Sequence, residues 1–399
     1  VTVSMARDEV AGNFANFDPF RVPSPCYVID IAKLEDNLRI LSDVSAKADA
    51  RVLLALKAFS CFALAEMIGG FLHGTAASGL WEARLGRTRF QGAVHTFAPG
   101  LKQDHLAELQ TLSDHLIFNT IGQWKRFKPS LRMNDDCAFG LRINPRHSEA
   151  ENPLYDPCAA WSRLGSPIPQ LEGEDLEGLT GFHIHALCDQ GFEPFDRLLG
   201  ATEEKASGLL ERINWLNLGG GQMITAQGFD RAALIGRLRD LRRRTELDLY
   251  LEPGTAVALN AGALVTEVLD TFWNDGHVAV MDCSATCHMP DVIEAPYTPA
   301  LLGTETLDRA EDMDPRDEHV VRVGGPTCLA GDVIGTYRFD KAPKTGDRRL
   351  FLDQAYYTMV KTTTFNGTPL PSIALWDPRT DDVRVIKQFG YEDFEGRLS

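Results

Sequence analysis

From about residue 50 to about residue 265, short apolar runs alternate with stretches whose apolar positions recur at helical spacing. "RVLLAL" is followed by "CFALAEMIGGF", "GAVHTFA" by "KQDHLAELQTL", and "DHLIFN" by "IGQWKRF". "FGLRIN", "LTGFHIHAL", "INWLNLGGG" and "LDLYLEPG" continue the series, with helical segments between the later ones. Runs of this length fit buried strands, and strand–helix repetition predicts a parallel sheet covered by helices. About eight units are countable, the number that closes a (β/α)₈ barrel.

After residue 265 the texture changes to short β-rich runs such as "GHVAVMD", "HVVRVGG", "RRLFLDQ" and "DVRVIKQF", punctuated by Gly, Pro and Asp. These predict a mostly antiparallel β domain. "SPCYVIDIAKLEDNLRIL" reads as a strand and a helix ahead of the barrel, the strand being free to join the C-terminal sheet. The expected division is an N-terminal surface extension over 1–20, a barrel over 45–265, and a β domain made of 21–44 and 266–399.

Composition narrows the class. The 399 residues exceed one ordinary core, and 44% hydrophobic with 24% charged residues is a globular balance. A formal net charge of −16 argues against nucleic-acid or anionic-membrane partners. No apolar run approaches a membrane span, and the first residues lack the apolar core of a signal peptide. Eight scattered cysteines without a CxxC pair fit free thiols in a reducing cytoplasm.

Candidate chemistry gathers at the C-terminal ends of the barrel strands, the face that carries barrel active sites. Lys57 follows "LLAL", where a buried amine is costly unless paired or used covalently; a lysine snorkelling to the rim is the alternative. His183 and His185 fall on one face of a strand, a spacing also seen in metal-dependent hydrolases, or in a core histidine beside a hydrogen-bonded one. Gly219, Gly220 and Gly221 suit a phosphate-binding turn or a plain one. Glu252, braced by Pro253 and Gly254, suits a carboxylate that keeps a heterocyclic nitrogen protonated. "GGPTCLAGD" carries Cys328, a small buried hydrophobe or a proton donor to a partner's site. "DCSATCHMPD", with Cys283, Cys287, His288 and Asp291, matches no zinc pattern well.

In their order along the chain these residues resemble the fold-type III pyridoxal-phosphate (PLP) decarboxylases, the group of ornithine and diaminopimelate decarboxylases, whose fold is alanine racemase-like. The likeness runs from about Pro25. "LLALKAFS", "GLRINPRHSE", "SATCHMPDVIEAPY", "GGPTCLAGDVIG" and "YYTMVKTTTFNGTPLPSIALWD" look most like the carboxynorspermidine (carboxyspermidine) decarboxylases of polyamine biosynthesis. The resemblance implies PLP joined to Lys57, His185 stacked on its ring and Glu252 on the ring nitrogen. It further implies that Gly219 to Gly221 and the Tyr357 hydroxyl hold the phosphate. Cys328 would act as an acid across a homodimer interface, and Asp332 in the same loop, Asp291, Glu294 and the residue at Thr255 would meet substrate. No metal is implied.

Three positions depart from the patterns of these decarboxylases. Thr255 stands where EPGEA has its second acid, and Thr298 where a basic residue is usual, while Leu329 replaces the Asp that ornithine decarboxylases carry. A lost carboxylate removes a charge-assisted hydrogen bond, about 1.5–3 kcal/mol. The same chemistry on another amino-acid substrate, a racemase, and a non-catalytic homologue therefore stand as alternatives.

Overall fold

The computed structural model describes residues 11–134, 136–150, 153–309 and 313–399. It divides into two compact units, one spanning Asp36–Val257 and the other joining residues 11–35 to Ala258–Ser399.

The first unit is a parallel barrel. Its strands run Arg51–Val52 with Leu54–Ala55, Gly74–Ala77, Ala93–Phe97, His115–Phe118, Ala138–Asn144, Gly181–His183, Trp215–Asn217 and Asp248–Leu251. Arg51–Val52 pairs with Asp248–Leu251 and Leu54–Ala55 with Gly74–Ala77, so the stretch 51–55 closes the sheet on both sides. Leu53 interrupts it for one residue while its N–H bonds Leu251 O at 2.8 Å. Helices Leu80–Arg89, Leu106–Leu112, Ile121–Phe127, Phe192–Leu210 and Arg231–Thr245 follow their strands as the periodicity predicts. Thr120 and Asp230 start two of them by accepting from the N–H three residues on, the usual relief for unpaired donors at a helix start.

The barrel is filled, not hollow. Leu53, Ala76, Ile117, Trp215 and Tyr250 form a buried cluster. Gly181, on the strand beside Trp215, and Gly140, one strand further, leave space for its indole: a Cβ on Gly181 would stand 2.0 Å from the ring and one on Gly140 2.3 Å. The indole N–H donates to Thr180 Oγ1 at 3.0 Å, which satisfies its one polar atom.

The second unit is a sheet in the order Thr304–Thr306, Val333–Phe339, Val320–Gly324, His277–Met281, Gly262–Trp273, Cys26–Asp30, Ser372–Asp377, Asp382–Lys387, with Arg348–Leu352 also on Gly262–Trp273. Most neighbours are antiparallel. Cys26–Asp30 lies antiparallel to Gly262–Trp273 and parallel to Ser372–Asp377, so an early strand sits inside the late sheet. The unit boundaries fall near residues 36 and 258, not 45 and 265, because the sheet claims the strand from Gly262 onward while much of helix Ile31–Ala48 belongs with the barrel.

The expected surface extension is corrected over its described part. Phe14 and Phe17 are buried, with ring centroids 5.5 and 4.9 Å from Trp376, so the apolar pair in "NFANF" anchors this segment to the sheet. Residues 1–10 of that extension lie outside the described residues. None of the eight cysteines is joined in a disulfide. Among the described residues, no helix is long and apolar enough to cross a membrane.

Candidate active site

At the C-terminal ends of the barrel strands, several groups share a small polar space. Lys57 is solvent-exposed by area, yet its amine sits deep enough among protein atoms that burial leads a lowering of its pKa. Glu252 draws it back up and Arg142 pushes it down further. An amine both accessible and desolvated is one that spends more time uncharged and nucleophilic. Lys57 Nζ is 3.5 Å from His185 Nε2.

His185 is oriented from behind, since Gly220 N–H donates to its Nδ1 at 3.0 Å. Burial, then Lys57 and Arg142, hold its pKa well below the ordinary value, so the ring is neutral and its proton belongs on Nε2. This tautomer bears on the metal alternative. His183, His185 and Glu252 do place ligand atoms within 4.8 Å of one another. With Nδ1 engaged and Nε2 protonated, however, His185 has no lone pair for an ion, and the Lys57 amine stands beside it.

Glu252 ends the strand Asp248–Leu251, and its Oε1 accepts from Asn217 Nδ2 at 2.6 Å. Its Oε2 lies 3.3 Å from His183 Nε2. Burial by itself would raise this carboxyl, but His183, Asn217 and Lys57 outweigh it, and the group is held below the usual carboxylate range. His183 is itself pushed down by burial. The two histidines thus divide the work: His185 faces Lys57 and His183 supports Glu252.

The glycine turn differs from a row of free donors. Gly219 N–H bonds Asn217 Oδ1 at 2.9 Å, and Gly220 N–H is committed to His185. Glycine is required here by shape. Gly219 and Gly221 have φ of +64° and +93°, and a Cβ on Gly220 would stand 2.2 Å from Glu252 O.

Three residues that sequence reasoning missed belong to this group. Arg142, buried and lowered to about 10 by that burial, donates from Nη2 to His185 O at 2.8 Å and lies over the Phe97 ring. Asn217 is the amide that donates to Glu252 Oε1. Asp189 is exposed by area, but burial leads the raising of its carboxyl, opposed by a hydrogen bond with Thr255 and by Lys57. Thr255 is buried, and its hydroxyl is hydrogen-bonded with Asp189.

The second unit holds the remaining candidates. Cys328 is exposed on the loop between Val320–Gly324 and Val333–Phe339, its N–H donating to Asn366 Oδ1 at 3.0 Å. Asp332 was expected among substrate contacts, and here it is corrected. It is buried and accepts Ser284 Oγ at 2.9 Å on both oxygens, Thr327 Oγ1 at 2.6 Å, and the N–H of Thr286 at 3.2 Å. A carboxylate so saturated braces the Cys328 loop and has nothing left for a ligand. Asp291 and Glu294 both bind Lys361 Nζ, Glu294 at 2.8 Å, so a cationic substrate would have to compete with this internal ammonium. Tyr357 opens the short helix Thr358–Val360 with φ of +50°. His288 donates from Nε2 to Pro369 O at 3.0 Å and accepts Ser284 N–H at 3.2 Å, which leaves no lone pair for a metal.

A desolvated amine at a strand end, a buried ionised carboxylate across from it and a neutral histidine beside it fit a pyridine-aldehyde cofactor by their chemistry alone. The model for the pyridoxal-dependent decarboxylase C-terminal sheet domain matches residues 26–355, and the chain belongs to the pyridoxal-dependent decarboxylase family. Within that family it is 38% identical over 381 residues to a carboxynorspermidine/carboxyspermidine decarboxylase of Campylobacter jejuni, covering 94% of this chain and 99% of the relative. It is 40% identical over 381 residues to a carboxyaminopropylagmatine decarboxylase of Synechocystis, covering 94% and 96%. The crystal structure of carboxynorspermidine decarboxylase from Campylobacter jejuni, complexed with norspermidine, superposes with a TM-score of 0.86 at 36% identity, covering 94% of this chain and 100% of that one. Diaminopimelate decarboxylase from Helicobacter pylori, at 15% identity and TM-score 0.78, shares the fold.

Proposed function

We propose that this protein is a PLP-dependent decarboxylase of a carboxylated polyamine, carboxynorspermidine or carboxyspermidine, working in the cytoplasm as a homodimer. The observation that carries the reading is the Lys57–His185–Glu252 arrangement in a chain so similar over its length to decarboxylases of that substrate class. PLP, when bound, supplies an electron sink for the pair left behind as CO₂ departs.

The chain's own residues have separable tasks. Lys57, an accessible amine of lowered pKa, would be the residue that holds the cofactor covalently. Glu252, kept ionised, holds a proton on the pyridine nitrogen. His185, fixed by Gly220, offers a flat neutral ring for stacking. The Gly219–Gly221 turn, whose first two N–H groups are already bonded to Asn217 and His185, is assigned to the phosphate for the close approach its glycines allow, and the Tyr357 hydroxyl for a hydrogen bond. Cys328, exposed on its braced loop, is assigned the proton returned to the substrate carbon, acting from the other subunit.

A second reading has its own support. The Synechocystis relative, 40% identical to this chain, carries the name of a guanidinium-ended substrate. Carboxyaminopropylagmatine is therefore the second candidate. Cofactor loading is tested first by borohydride reduction and peptide mapping. Mass added at Lys57, absent from Lys57→Ala, supports the assignment, and mass at another lysine overturns it.

A further inference from the structure

Asn217 ends the strand Trp215–Asn217 and is fully buried. Its amide makes two bonds in opposite directions: Nδ2 donates to Glu252 Oε1 at 2.6 Å, and Oδ1 accepts Gly219 N–H at 2.9 Å. Nδ2 also lies 3.5 Å from His95 Nδ1. We propose that Asn217 is a positioning residue of the decarboxylase site, an amide that ties the carboxylate assigned to the ring nitrogen to the first glycine of the turn assigned to the phosphate. The inference rests on the PLP reading above and deepens it.

Among residues of this length, only an amide supplies both bonds at once. An ionised carboxylate in its place, as in Asn217→Asp, would keep the acceptor for Gly219 N–H but would face Glu252 with a second carboxylate at hydrogen-bond distance. Such a pair is held only by sharing a proton, and like charges that close titrate together. Alanine would leave one carboxylate oxygen and one N–H without partners in a buried site. The other groups around Glu252 do not replace the lost donor. His183 is already on Oε2, Lys57 is claimed by the cofactor, and Arg142 is spent on His185 O. His95 and His115, deeper in the barrel, are both held neutral, chiefly by burial.

The consequence is specific to protonation. In the Asn217→Asp variant, Glu252 would no longer remain singly ionised across neutral pH, and the ring nitrogen would lose its partner as the carboxyl pair takes up a proton. The test compares PLP-loaded wild type with Asn217→Asp, Asn217→Ala and Asn217→Ser. The readouts are PLP affinity by titration, the pH dependence of the bound cofactor's visible spectrum, and kcat and KM separately. Asn217→Asp is expected to add a pH-dependent spectral transition absent from wild type and to lower kcat roughly 10- to 100-fold with KM little changed. Asn217→Ala should weaken PLP binding by a similar factor, and the Ser hydroxyl, a donor and an acceptor, should recover part of it. Asn217→Asp is nearly isosteric, so it keeps the test valid where the Ala variant fails to fold. A loaded wild type whose variants share its spectrum, pH profile and kcat overturns this inference alone. A wild type that takes up no PLP at Lys57 overturns the parent reading and this one together.

Discussion

Mild acid is expected to weaken the fold through histidines buried in their neutral form, and the size of the effect follows from two of them. His115 lies between His95 and Trp215, with ring centroids 3.9 and 4.4 Å away, and burial pushes its pKa down to about 4. His288 is likewise brought down to about 4 by burial, with Nδ1 already accepting a backbone N–H. The ordinary value is 6.5. Because the folded pKa is depressed, the unfolded chain takes up the proton first. The stability is fully present above about 6.5 and is lost as pH falls toward about 4. Integrated down to pH of about 5, each ring costs about 2 kcal/mol, and the two together about 4 kcal/mol. His95, His183 and His185 are shifted in the same direction and add to it. The assay is urea unfolding of the cofactor-free protein followed by circular dichroism between pH of about 7.5 and about 5. His115→Phe is the control, because His115 Nδ1 is buried without a hydrogen bond and a phenyl ring fills the same stack. The variant should recover about 2 kcal/mol of the acid loss. An unchanged pH slope in His115→Phe would refute the reasoning.

Three further outcomes follow from the packing and the charge pairs. Gly181→Ala drives a Cβ to 2.0 Å from the Trp215 ring and should cost about 1–3 kcal/mol in unfolding free energy, with a matching fall in Tm. Asp332→Ala leaves Ser284, Thr327 and Thr286 without their shared acceptor, so it should lower kcat while PLP affinity at the barrel stays as in wild type, measured by cofactor titration. Lys361→Met frees the Asp291 and Glu294 carboxylates and should change KM for cationic substrates by roughly 10-fold or more, with kcat less affected; an unchanged KM would remove both acids from substrate recognition.

The barrel was legible because its strands are short, apolar and separated by helical periods, and because residues at strand ends carry chemistry there. Period-two alternation correctly put His183 and His185 on one side, and EPG placed Glu252 at a strand end. Pattern could not assign Asn217, Arg142 or Asp189, since each residue type is common and its meaning comes from a partner distant in sequence. Asn217 stands just ahead of the glycine triplet, and the only clue was a buried amide position next to a tight turn. The pairing of Lys361 with Asp291 and Glu294 spans some 70 residues and leaves no local trace. Asp332 was placed at the substrate by the family resemblance of its loop, and its bonds to Ser284 and Thr327, 48 and 5 residues away, leave no local pattern that would have corrected this. The anchoring of the N-terminal segment was readable in Phe14 and Phe17 and was obscured by their acidic, mixed surroundings.

The most direct test of the central claim is CO₂ and amine release by the purified, PLP-loaded protein given carboxynorspermidine, carboxyspermidine and carboxyaminopropylagmatine, with ornithine, lysine and diaminopimelate as comparators and Lys57→Ala as control. Turnover of at least one carboxylated polyamine far above the comparators, lost in Lys57→Ala, is the predicted result. No release from any of these substrates by protein carrying PLP on Lys57 would contradict it.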